Sequence, residues 1–154
     1  MAGLTLDQAG ALYGTTLYGG GGAPCHVSYG CGTVFKLTPP TAPETNWTSA
    51  ILYRFRGSEN DDGAYPNGGL LLDESGALYG TTSAGGDNDH GTVFKLAPPP
   101  TLGDAWTRTF LHRFKGGKDG SMPLAGLTRD GDGVFYGTAS QNGRGLWGTV
   151  FKID

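Results

Sequence analysis

Two cysteines, Cys25 and Cys31, flank His26 and Tyr29 in a glycine-rich stretch. Thiols and an imidazole this close together suit redox or soft-metal chemistry, but two Cys and one His fall short of the four ligands of a closed zinc site. A small-loop disulfide is the expected reading, with two free thiols or a metal site as alternatives. Asp87-Asn88-Asp89-His90 could offer oxygen ligands to calcium, although turn chemistry explains the same residues more simply. Asp62 and Asp119 are candidate acids for general acid-base work. Gly143-Arg144-Gly145-Leu146-Trp147-Gly148 matches the dinucleotide fingerprint literally. That motif needs a helix after it and a strand follows here, so the match is rejected. What remains on that tip is Arg144 and Trp147, which together with Tyr29 and Tyr65 could stack on a sugar or a peptide. There is no Gly-x-Ser-x-Gly elbow and no His-Glu-x-x-His helix, and His26, His90 and His112 fall at unrelated places in the sequence.

The elements that must carry these residues are repeats. AGLTLDQAGALYGTT (2–16), GGLLLDESGALYGTT (68–82) and AGLTRDGDGVFYGTA (125–139) line up, and each is followed by GTVFK, at 32–36, 91–95 and 148–152. A further segment recurs between units, WTSAILYRF at 47–55 and WTRTFLHRF at 106–114. Asp62 and Asp119 then sit at the same repeat position, before Pro66 and Pro123, so both are expected to be structural turns rather than paired catalytic acids. Asp7, Asp73 and Asp130 likewise open one and the same turn. Each period holds four apolar runs of strand length with Asp, Ser and Gly at the tight turns, and no segment keeps a helical period. The chain is therefore expected to be all-β.

Four antiparallel strands in a period of roughly 40 to 60 residues describe a β-propeller blade. The expected fold is a propeller-like array of three four-stranded blades, about 2–58, about 67–116 and about 124–154. The last blade lacks its outer strand, which gives eleven strands. Buried faces on both sides of a blade account for apolar runs such as Leu70-Leu71-Leu72. The loops from second to third strand and from outer strand to next inner strand share one face, the side on which a ligand is to be sought.

Length and composition exclude several classes. The chain has 154 residues, a formal net charge of -3 and no basic run longer than two residues, so a nucleic-acid partner is not expected. No apolar run is long enough to span a membrane, and residues 1–20 lack the basic start and apolar stretch of an export signal. No cofactor is implied.

The composite string G-L-x-x-D-x-x-G-x-L-Y-G-T-T followed by G-T-V-F-K-L resembles the GloVer-type tandem repeat of bacterial choice-of-anchor surface proteins, over nearly the whole chain. The blade order is also similar to that of NHL repeats. The resemblance implies a propeller-like module on exported, surface-anchored proteins, and it carries over no catalytic residues. The function expected is a non-catalytic extracellular or cell-surface module for binding or scaffolding, with a glycan or peptide as the ligand class. A propeller hydrolase or lyase with polar groups at the mouth of the axis, and a lectin-like propeller, are the alternatives. Three blades fall short of the usual four to eight, so the array is expected either to be part of a longer one or to close as a homodimer.

Overall fold

The computed structural model describes residues 3–21, 25, 29–101, 103–145 and 147–154. Its strands are β1 (Thr5–Leu6), β2 (Leu12–Thr16), β3 (Thr33–Thr38), β4 (Thr48–Arg54), β5 (Gly63–Pro66), β6 (Leu71–Leu72), β7 (Leu78–Gly85), β8 (Thr92–Ala97), β9 (Thr107–Arg113), β10 (Thr128–Arg129), β11 (Phe135–Ala139) and β12 (Thr149–Ile153). They form three antiparallel sheets: β1-β2-β3-β4; β5-β7-β8-β9 with β6 also on β7; and β10-β11-β12. The fold is all-β and propeller-like, and among the described residues helix is confined to two short 3-10 turns. No helix among the described residues is long and apolar enough to cross a membrane.

The core lies between the sheets. One cluster, with Tyr13, Val34 and Phe55 from the first sheet and Leu70, Leu78, Phe94 and Leu96 from the second, fills the first interface. A second, with Tyr79, Val93 and Phe114 against Leu127 and Phe135, fills the other. The middle sheet is therefore covered on both faces: every residue of β7 is buried except Ala84, and all but Lys95 and Ala97 in β8.

Each residue of GTVFK has a separate physical task. The glycines Gly32, Gly91 and Gly148 all adopt a left-handed backbone, with φ of +97°, +94° and +91°. A side chain there would strike the carbonyl oxygen of Thr16, Thr82 or Ala139 across the hairpin. The threonines bond across the sheet, Thr33 to Thr16 at 2.8 Å and Thr92 to Thr82 at 2.7 Å. In the third sheet Ala139 stands in the partner position, and Thr149 turns to the Val150 carbonyl instead. Val34 and Val93 point towards the following sheet. Phe35, Phe94 and Phe151 point the other way, their rings lying over Gly14, Gly80 and Gly137, where a β-carbon would overlap the ring. Lys36 and Lys95 place Nζ over the tyrosine of the neighbouring strand, 5.3 Å from the Tyr13 ring centre and 5.4 Å from that of Tyr79, whereas Lys152 pairs with Asp154 at 2.8 Å.

The structure adds a strand to the expected eleven. β5 (Gly63–Pro66) leaves the first unit and pairs with β7 of the second, Gly63 opposite Gly85 and Pro66 opposite Thr82. Its sequence, Gly-Ala-Tyr-Pro, reads as a turn because it holds Gly and Pro; in the structure Tyr65 takes a left-handed φ of 58°. As an edge strand it can accommodate the proline, which has no N–H to donate. The equivalent in the third unit is reduced to one bridge, Ser121 to Gln141, followed by Met122 at φ 54°. In both links the backbone stitches adjacent units: Tyr65 N–H donates to the Cys31 carbonyl at 2.8 Å and Met122 N–H to the His90 carbonyl at 2.9 Å.

Candidate ligand-binding face

Asp62 lies at the first of these links and is fully buried. One carboxylate oxygen accepts from Tyr53 Oη and from the Arg56 N–H, each at 3.0 Å, and the other from the Gly63 N–H at 2.8 Å. Arg108 of β9 reaches across the interface to within 3.2 Å of it. Burial, the largest influence, pushes the Asp62 carboxyl above the usual carboxylate range, and these donors oppose it. Arg108 also lays its guanidinium on Phe110, 3.9 Å from the ring centre. Sequence reasoning passed over Arg108, because its equivalent in the first unit is Ser49. Asp119 is the repeat equivalent of Asp62. It accepts from the Lys115 N–H at 2.8 Å and meets His112 Nε2 at 3.1 Å, with both side chains partly exposed.

The other acids of the loop face are also engaged. Asp87 pairs with Arg113, which at the same time pairs with Asp61 and so links the two units. Asp89 accepts the Gly85 N–H at 2.6 Å and closes its own turn. The His90 imidazole sits against Gly116. Cys25 and Cys31 are joined as a disulfide, with Cys31 buried in the first interface. A small cleft brings Cys25, Tyr65 and Asp89 together, with room for no more than about one water. Tyr65 stands edge-on to Tyr18, ring centres 5.7 Å apart. Tyr29 and Trp147 are exposed, the latter 94% so, and Arg144 is exposed on the same tip as Trp147. His26 lies outside the described residues. Among the described residues no group of three or more His, Cys, Asp or Glu is placed to hold a metal ion.

Among the described residues, two concavities larger than that cleft lie at the opposite end of the strands. One, of about 710 Å³, lies between the first two units and is lined by Asp7, Gln8, Tyr13, Leu72, Asp73 and Glu74 among others. The other, of about 580 Å³, lies between the Asp73 and Asp130 turns. These three aspartates build the same device. One oxygen accepts backbone N–H groups two and four residues on, as Asp73 does from Ser75 and Ala77, both at 2.9 Å. The other accepts the tyrosine hydroxyl six residues on, from Tyr13, Tyr79 or Tyr136.

Burial, the largest single influence on Asp7 and Asp73, would raise their carboxyls, yet the hydrogen bonds together hold both below the ordinary value of 3.8. For Asp130 the Val134 N–H is the largest influence, and the result is again lowered. A lowered folded value means that these groups add stability above 3.8, which is lost as pH falls through that value and the folded values beneath it. The triple variant D7N/D73N/D130N is expected to flatten the decline in unfolding midpoint between about pH 5 and 2, which urea titrations at a series of pH values would read. An unchanged pH slope would refute the assignment.

The chemistry of the loop face is thus divided. Acids that recur or pair are tied into turns and unit seams, while Tyr29, Arg144 and Trp147, which do not recur, remain open to solvent. The model of the Gloeobacter/Verrucomicrobia repeat matches residues 1–154. No curated protein and no solved structure matches the chain. With the repeat matched from the first residue to the last, the chain belongs to the Gloeobacter/Verrucomicrobia repeat family.

Proposed function

We propose that the chain is a β-propeller module for binding or scaffolding, displayed outside the cell or on its surface, and that its work is recognition rather than catalysis. The observation that carries this reading is the division of the loop face. Asp62, Asp87 and Asp89 spend their charge on the framework, whereas Tyr29 and Trp147 present rings to solvent. A flat aromatic face with a polar edge suits a sugar ring or an extended peptide, and Arg144 beside Trp147 adds a donor for a carboxylate or hydroxyl group. The Cys25–Cys31 disulfide supports an oxidising compartment.

Glycan and peptide arrays probed with the purified chain test the proposal. Binding to a defined class is expected, with a loss of about tenfold or more in W147A, a size typical of removing an aromatic anchor. The melting temperature of that variant should not move, since the indole is open to solvent. Arrays blank for the parent chain, or binding indifferent to both Trp147 and Tyr29, would overturn the reading.

A further inference from the structure

The two interfaces inside the chain define what each face of a unit is made to touch. On the face turned towards the following unit stand a tyrosine from the second strand and the valine of GTVFK. On the opposite face stand the leucine of the inner strand and the phenylalanine of GTVFK. Where a neighbouring unit is present these residues are buried: Val34 and Val93 are 0% exposed, Leu70 6% and Leu127 9%. The same residues are open on the two outermost faces. Val150, the third copy of that valine, is 75% exposed, and Leu4, the first copy of that leucine, is 56% exposed. Tyr136 is exposed where Tyr13 and Tyr79 are buried, and Ile51 joins Leu4.

These two faces are complementary by construction. Val150 and Tyr136 reproduce the surface that Val34 with Tyr13, and Val93 with Tyr79, present to the following unit. Leu4 and Phe35 reproduce the surface of Leu70 and Phe94 that receives it. We propose that the third unit's open face seats on the first unit's open face in a second copy of this chain, so that two copies close head-to-tail into a ring of six units. Six lies within the usual range of about four to eight blades. A two-fold ring also forms both contacts at once and covers Val150, Tyr136 and Leu4. The junction joins separate chains, so the association depends on concentration. This inference does not depend on the ligand-binding reading.

The test is molar mass by light scattering over roughly a hundredfold range of protein concentration. The expected result is a rise from the 16.0 kDa chain to about twice that mass. V150D and L4D each place a charge on one open face at an already exposed position, so at concentrations where the parent is a single chain both variants keep its melting curve. Each is expected to raise the dissociation constant by about tenfold or more. Mixing the two variants restores one intact junction, Val150 of the L4D chain against Leu4 of the V150D chain, and association partly recovers. A single-chain mass at every concentration would overturn the proposal. So would disruption by V150D alone, which signals like faces meeting, or growth beyond two copies, which signals a contact that does not close.

Discussion

Asp62→Ala is expected to lower the stability of the chain by about 3–5 kcal/mol, the range for removing one member of a buried ion pair. The carboxylate is enclosed, and its loss leaves the Gly63 and Arg56 N–H groups, the Tyr53 hydroxyl and Arg108 without their shared acceptor. Part of the cost is relieved because the Arg108 guanidinium keeps its place on Phe110 and some access to water. Urea unfolding with an unchanged slope would measure it as a shift of midpoint. Asp119→Ala is the comparison that makes the result specific. Its carboxylate is partly exposed and pairs with His112 rather than an arginine, so that pairing is worth only about 0–1 kcal/mol, and the variant should unfold far closer to the parent. The same pair of variants separates framework from chemistry. If Asp62→Ala kept its midpoint while a binding or catalytic property vanished, Asp62 would belong to a site and not to a seam.

The difference between those two aspartates also marks where sequence reading stops. Their shared repeat position, each with a glycine next and a proline four residues on, favours structural turns over paired catalytic acids. The partners were not legible, because Arg108 comes from the next unit's outer strand and its first-unit equivalent is Ser49. Repetition reveals what every unit does for itself, such as the Asp73 turn with Tyr79. It is silent about what one unit does to its neighbour when the reaching residue occurs once. β5 escaped for a related reason. Local sequence marks Gly63-Ala64-Tyr65-Pro66 as a turn, and only the edge of β7 makes it a strand. The grooves between the aspartate turns were missed because a concavity between units follows from how the sheets stack, and no residue type announces it.

The largest consequence of repetition falls on the first residue of GTVFK. Gly91→Ala is expected to cost roughly 1–3 kcal/mol for holding a side chain at a left-handed φ, with a further 1–3 kcal/mol or so for overlap that the packing must relieve. Relief is hard to find there, because the new methyl would meet the Thr82 carbonyl oxygen and Pro123 Cδ at 2.7 Å. The first is backbone in a paired strand, and the second is the proline that seats the link to the third unit. Gly91 also accepts the Phe114 N–H at 3.0 Å, so a displaced peptide would pull Phe114 away from Phe151, 5.1 Å off across the second interface. The damage should therefore spread from a hairpin to an inter-unit seam, lowering the melting temperature and exposing apolar surface to a hydrophobic dye. Gly131→Ala is the control, since that glycine has no positive φ and nothing within 4 Å of a built β-carbon; the variant should melt with the parent. Equal behaviour of the two variants would show that the recurring glycine is tolerated at will, and the conformational reason offered for three copies of GTVFK would fail.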